Sequence, residues 1–162
     1  MAPARGYFLI GCYRPKTGIN VGTLWRTARW MGAGGFFTIR ERFPEKARIN
    51  MVRADPALGQ QTDTTAAHRH VPYLTFESVD ALRESVPLAC IVGVELDSRA
   101  VSLPSFKHPE RCIYLLGAED FGLTPDVREM CDHIVEIPGG NLNVSVAGSI
   151  VLYDRIAKHT AP

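Results

Sequence analysis

Residues 7–39 read YFLIGCYRPKTGINVGTLWRTARWMGAGGFFTI, and the hydrophobic period changes twice along them. Tyr7 to Tyr13 is a nearly continuous apolar run of strand length, the pattern of a strand buried on both faces. From Asn20 to Met31 the apolar residues Val21, Leu24, Trp25 and Ala28 recur at i, i+3, i+4 and i+7, which predicts an amphipathic helix with Asn20 as its N-cap. Gly32, Gly34 and Gly35 suit a helix stop, and Gly35 to Ile39 reads as a second strand. Strand, helix and strand in this order form a βαβ unit, whose strands are parallel because the helix returns the chain to the same end of the sheet.

The alternation continues outward from this unit. Arg40 to Ala67 shows no clear period and reads as a long loop with at most one short helix, followed by a weak third strand from Pro72 to Phe76. Ser78 to Val86 reads as helix, and Leu88 to Leu96 (LACIVGVEL) and Cys112 to Leu116 (CIYLL) as strands. Thr124, Pro125 and Asp126 supply an N-cap, a first-turn proline and an early acid for a short helix ending near Cys131. His133 to Ile137 is the last strand, and Asn143 to Lys158 the last helix, with Val144, Ala147, Ile150, Val151 and Ile156 towards one face. The expected fold class is α/β, a mostly parallel sheet flanked by helices, in a single domain over residues 1–162. Ligands of such sheets bind beyond the C-terminal strand ends, so the strand-to-helix loops are where chemistry is sought.

Composition narrows the partners. With 46% hydrophobic and 22% charged residues the chain is of ordinary globular type, and no apolar run approaches the roughly 20 residues of a membrane span. The first apolar stretch lacks a small-residue cleavage site, so a cytoplasmic location and no membrane partner are expected. Cys12, Cys90, Cys112 and Cys131 are far apart with no C-x-x-C pair and read as reduced core thiols. A net charge of +1 conceals a division: residues 1–53 hold ten basic side chains against two acidic, and the remainder eight basic against fifteen acidic. Eight of those ten are arginines, whose planar fork suits phosphate oxygens; the plainer alternative is two halves that pair their charges.

Several familiar sites are missing. The first strand-to-helix turn, YRPKTGIN, is not a G-x-G-x-x-G dinucleotide fingerprint, and there is no P-loop, G-x-S-x-G elbow or H-E-x-x-H pair. Cys131 and His133 have no further ligands at suitable spacing, so no metal is expected. What remains is three strand-to-helix segments. Asn20-Val-Gly22-x-x-x-Arg26-x-x-Arg29 sets two arginines three apart on the polar flank of the first helix. Leu115-Leu-Gly117-Ala-Glu119-Asp-Phe-Gly122-Leu123 follows a strand with a glycine, a carboxylate and a second glycine. Ile137-Pro-Gly-Gly-Asn141-Leu-Asn143-Val-Ser145-Val-Ala147-Gly148 is a loop of close-approach backbone opening a helix of small residues. Taken singly, these are a solvated helix flank, a turn with exposed acids and a helix cap.

In order and spacing the three segments together resemble the motifs of the SpoU (TrmH-like) branch of the SPOUT RNA methyltransferases. Asn20, Gly22 and Arg26 match the first motif; Gly117, Glu119, Gly122 and Leu123 the second; Ile137, Pro138, Leu142, Asn143, Val144, Ser145 and Ala147 the third. Asn141 stands where many members have Ser. The resemblance implies a C-terminal trefoil knot, a homodimer, and S-adenosylmethionine bound by loops around Val94, Gly117, Ile137, Asn141 and Leu142. It implies methyl transfer to a ribose 2′-hydroxyl of RNA, with Asn20, Arg26, Glu119 and Asn143 at the reaction site and Arg29, Arg40 and Arg42 on RNA phosphates. A guanidinium is a poor proton acceptor at neutral pH, so Arg26 is assigned to the target phosphate and the developing alkoxide. Compact length favours tRNA over rRNA. The rival readings are an RNA base or rRNA ribose methyltransferase of the same fold and a non-catalytic RNA-binding protein. A small-molecule methyltransferase is disfavoured by the basic first third.

Overall fold

The structure, a computed structural model, describes residues 6–47 and 67–160. In chain order the elements are β1 (Phe8–Tyr13), α1 (Gly18–Trp30), β2 (Gly35–Ile39), β3 (Tyr73–Phe76), α2 (Val79–Ser85) and β4 (Cys90–Val94). They continue as β5 (Val101–Ser102), β6 (Cys112–Leu116), α3 (Pro125–Glu129), β7 (His133–Glu136) and α4 (Val144–Thr160). The seven strands form one sheet in the order β3-β2-β1-β6-β4-β7-β5, and every pairing is parallel. The α/β reading is thus met. The two-residue β5 lies below the length that hydrophobic period can detect, and was not foreseen. Most of the long loop expected after Arg40 lies outside the described residues, along with the basic residues Arg5, Arg48 and Arg53.

Both faces of the sheet are covered, which explains its near-continuous apolar strands. Alternate residues divide between two layers: Phe8, Ile10 and Cys12 of β1 face the same core as Val21, Leu24, Trp25 and Ala28 of α1 and Val151 and Leu152 of α4. Leu9 and Tyr13 face Leu82 of α2 and Val127 of α3 on the other side. Gly148 lets α4 close on the first layer, since a Cβ there would lie 2.5 Å from Leu24 Cδ1. The buried thiols are inert: removal from water pushes Cys112 up to about 12, and Cys12 is raised as well.

At the helix starts one expectation is corrected and one is met. α1 begins at Gly18 with Thr17 as N-cap, so Asn20 sits inside the first turn and its side chain bonds across the fold. Thr124 does occupy the N-cap of α3, but its hydroxyl makes no capping bond. Leu88 to Leu96 contracts to Cys90–Val94 because both ends of the apolar run are exposed.

α4 is pinned to the sheet by a buried polar group. His108 Nε2 lies 2.8 Å from Asp154, and Nδ1 lies 2.6 Å from the Tyr114 hydroxyl. A carboxylate only accepts, so Nε2 carries the proton, Nδ1 accepts from Tyr114 O–H, and the Tyr114 oxygen accepts from Arg155 Nη1 at 3.2 Å. Burial pushes the His108 pKa down; Asp154 opposes this, and Lys158 and Arg155 reinforce it, so the ring is held neutral below its ordinary value. A depressed histidine contributes stability that is present above the unfolded-state pKa of about 6.5 and lost as pH falls through the folded value. We therefore expect the unfolding midpoint in urea to fall between pH 7 and pH 5, and His108→Gln to be less stable at pH 7 yet flatter across that window. Equal slopes for the two proteins would remove His108 as the cause.

Candidate active site

Four loops meet where the strand order turns back on itself: residues 14–17 after β1, 95–97 after β4, 117–124 after β6 and 137–143 after β7. The loops after β4, β6 and β7 line a cleft of about 620 Å³, and the loop after β1 bonds to its Glu119. Val94, Leu96, Leu116, Leu142 and Val144 supply its apolar lining, and its charged lining, Glu95, Glu119 and Asp120, is wholly acidic among the described residues. Ile137 and Gly140 line a smaller cleft that shares Val94, Glu95, Leu96, Asn141, Leu142 and Ala147 with the first.

A chain of hydrogen bonds ties three of these loops together. The Glu119 carboxylate accepts from the Lys16 backbone N–H at 2.9 Å, the Thr17 hydroxyl at 3.2 Å and Asn20 Nδ2 at 3.1 Å. Asn20 Oδ1 accepts from Asn143 Nδ2 at 3.0 Å, and Asn143 Oδ1 accepts the Ser145 N–H at 2.9 Å and the Ser145 hydroxyl at 2.7 Å. The polarity is fixed at both ends, since a carboxylate can only accept and a backbone N–H can only donate. Both asparagine amides therefore have a single satisfactory orientation. Burial works to raise the Glu119 pKa, but the Lys16, Asn20 and Thr17 bonds outweigh it and hold the carboxyl ionised below its ordinary value.

The turn that carries Glu119 is built for this placement. Ala118 and Gly122 exchange backbone bonds of 3.1 and 2.9 Å, and Gly122 adopts φ +67. A Cβ on Gly117 would lie 2.4 Å from the Gly122 carbonyl carbon and 2.5 Å from Leu123 N, so only glycine lets the strand end fold under the turn. Glu95, which was read as the tail of a strand, anchors the far side: its Oε2 accepts the Leu123 N–H at 2.6 Å. A carboxylate closing an apolar strand was the available signal. Arg128 donates to the Leu123 carbonyl at 2.9 Å and to Asp97 at 3.1 Å, completing that wall.

These contacts make one site of motifs that lie far apart in the sequence, and comparison with known proteins places it in a family. Residues 7–153 match the family model described as the SpoU rRNA Methylase family. The chain belongs to the SpoU rRNA methylase family. An uncharacterized tRNA/rRNA methyltransferase of Archaeoglobus fulgidus is 29% identical over 140 residues, covering 83% of this chain and 57% of its own. A 23S rRNA (guanosine-2′-O-)-methyltransferase of Acinetobacter baylyi is 40% identical over 68 residues, 40% of this chain and 27% of its own. The chain thus spans little more than half of the first of these relatives and about a quarter of the second. The SpoU methyltransferase AviRb of Streptomyces viridochromogenes, solved with AdoMet, shares the fold at TM-score 0.77 and 21% identity, over 98% of this chain and 60% of its own. A structure titled for 2-OH methylation of C/U34 on tRNA aligns at TM-score 0.76 and 24% identity, over 97% of this chain and 99% of its own.

Of the residues singled out from this SpoU sequence, the fold brings Asn20, Glu119 and Asn143 into direct contact. Val94, Gly117, Asn141 and Leu142 line the main cleft, and Ile137 lines its smaller neighbour. Arg26 is exposed on α1, lines neither cleft and makes no hydrogen bond or ion pair among the described residues. Arg29 lies over Trp30, and Arg40 is exposed after β2. Arg42 reaches the cleft mouth, but its fork is taken by Asp120 at 2.7 and 3.0 Å. Gly117→Ala is expected to lower stability by roughly 1–3 kcal/mol, the range for forcing a methyl group into packed surroundings. Urea unfolding measures this, and an unchanged midpoint would show that the turn relaxes freely.

Proposed function

We propose that this chain transfers a methyl group from S-adenosylmethionine to a ribose 2′-hydroxyl of RNA, as a homodimer and without a metal, with tRNA as the substrate. The observation that carries the reading is the hydrogen-bonded convergence of the three motif loops on an acidic, partly apolar cleft. The residues fit the donor. The cleft volume of about 620 Å³ falls in the small-molecule range, and a ligand bearing a sulfonium and an ammonium suits a lining whose charges, among the described residues, are all carboxylates. Val94, Gly117, Ile137, Asn141 and Leu142 would hold it. The choice of tRNA is supported by the tRNA-methylation neighbour, matched along nearly the whole of both chains. The reading includes the family's knot, with the C-terminal segment threaded through the preceding loop.

Bound there, the donor supplies an electrophilic methyl with its own good leaving group. The protein's share is to align the hydroxyl and stabilise the charge it develops. The Glu119–Asn20–Asn143 chain holds the amides rigid beside the cleft, so Asn143 and Asn20 shape the hydroxyl site. Arg26 contacts the target phosphate and stabilises the alkoxide, and Arg29 and Arg40 hold neighbouring phosphates. Arg26 lies outside its own chain's cleft, so this role requires a second surface.

Dimerisation provides such a surface. Ile19 and Trp30 of α1 are 62% and 67% exposed, and Val146 and Tyr153 of α4 are 47% and 66% exposed. Between the helices runs a groove of about 410 Å³ lined by Thr23, Met31, Val146, Ile150 and Tyr153. So large an uncovered apolar face is the mark of an interface, and Arg26 shares α1 with it.

Total RNA from cells lacking this protein, incubated with the purified protein and methyl-labelled donor and digested to nucleosides, should yield a labelled 2′-O-methylnucleoside from the tRNA fraction. A base-methylated nucleoside, or no label, overturns the ribose reading. Arg26→Ala should lower single-turnover transfer by roughly 10² while donor binding persists, and Arg26→Lys should rescue little, because a point charge cannot replace a planar fork. In sedimentation, Val146→Arg combined with Tyr153→Arg should convert a dimer into the 17.9 kDa monomer. A dimer that survives both changes lies on another face.

A further inference from the structure

Phe121 lines the mouth of the cleft, is 42% exposed, and belongs to neither hydrophobic core. It stands at the tip of the turn closed by Ala118 and Gly122, between Asp120 and Gly122. Two guanidiniums lie over its ring, Arg42 at 5.0 Å and Arg14 at 5.3 Å from the centroid.

The two cations are held very differently. Arg42 Nε donates to the Arg14 carbonyl at 2.9 Å, and its two terminal nitrogens donate to the Asp120 carboxylate at 3.0 and 2.7 Å. It is therefore a fixed brace. The Arg14 side chain makes no hydrogen bond or ion pair among the described residues, and the ring is its one contact of this kind. Its backbone is unusual for a residue with a side chain. Arg14 adopts φ +47 while its N–H donates to the Ile39 carbonyl at 2.7 Å, and Arg40, which follows the paired strand, adopts φ +51. Two adjacent strands are thus followed by left-handed arginines, a conformation uncommon for residues other than glycine.

An exposed ring with guanidiniums over it has the parts by which single-stranded nucleic acid is gripped, bases on the aromatic face and charge along the backbone. We propose that Phe121, braced by Arg42 and covered by Arg14, is the stacking platform for an unpaired nucleobase of the RNA. The assignment rests on the RNA reading above and adds to it the group that receives a base. Stacking of a base on an aromatic ring is stronger than an exposed cation–π contact, so a base displaces Arg14 from the ring and leaves Arg42 in place. The freed Arg14 guanidinium then covers the outer face of the base or meets its phosphate.

The test compares two fluorescein-labelled single-stranded RNAs of about 12 nucleotides, within the size range of single-strand sites, one with all its bases and one abasic at its central positions. By fluorescence anisotropy with the full chain, wild type should bind the base-bearing probe about tenfold more tightly. Phe121→Ala should abolish that preference while binding the abasic probe as wild type does, and Phe121→Trp should retain it. Arg14→Ala should keep the preference and flatten the salt dependence. A preference that survives in Phe121→Ala overturns the platform alone, as does its loss in Phe121→Trp. Wild type that binds neither probe overturns the platform together with the RNA reading.

Discussion

The carboxylate of Glu119 is where three separate parts of the chain are brought into register. It takes donors from residues 16, 17 and 20, and through Asn20 and Asn143 its polarity is transmitted to the first turn of α4. An amide in the middle of such a chain has no orientation of its own; it takes one because an ionised acceptor stands at one end and a backbone donor at the other. Helix α1, the β6 turn and helix α4 are consequently fixed to one another beside the cleft. The glycine at 117 is the steric condition for this, because the carboxylate reaches its donors only if the turn lies against the end of β6.

The sheet supplies the frame in which that carboxylate can act. With β6 inserted between β1 and β4, strands on either side of the centre deliver their C-terminal loops to the same crevice. α1 then serves two surfaces. Through Asn20 its first turn bonds the cleft-lining Glu119 and Asn143, and further along it carries Arg26 and Trp30 outward beside the exposed face of α4. The separation of Arg26 from its own chain's cleft has the same origin, since residues six apart on a helix point about 120° apart round the axis.

Much of the fold could be read from the chain. The strand cores, the parallel arrangement and the helix assignments follow from apolar period and from residues such as Thr124 and Pro125. β5 escaped because two residues carry no period, and the N-cap of α1 was misplaced because Asn20 satisfies a cap by local rules but finds stronger partners at long range. Of the site, the motif residues were legible by type and spacing. Glu95 and the pairing of Arg42 with Asp120 were not, since each depends on a contact between loops distant in sequence.

The sequence by itself determined the α/β class and the three glycine-bearing loops, because periodicity and glycine placement are properties of neighbouring residues, and it carried the motifs by which the chain resembles its family. Only the tertiary structure decided which of those residues touch. It made Asn20 a link in a hydrogen-bond chain rather than a cap, turned Arg42 from a free fork into the partner of Asp120, and left Phe121 standing under two guanidiniums. The reason is physical: a side chain with several acceptors within reach takes the set that best compensates its lost hydration, and which acceptors are within reach is fixed by strand order and not by local sequence.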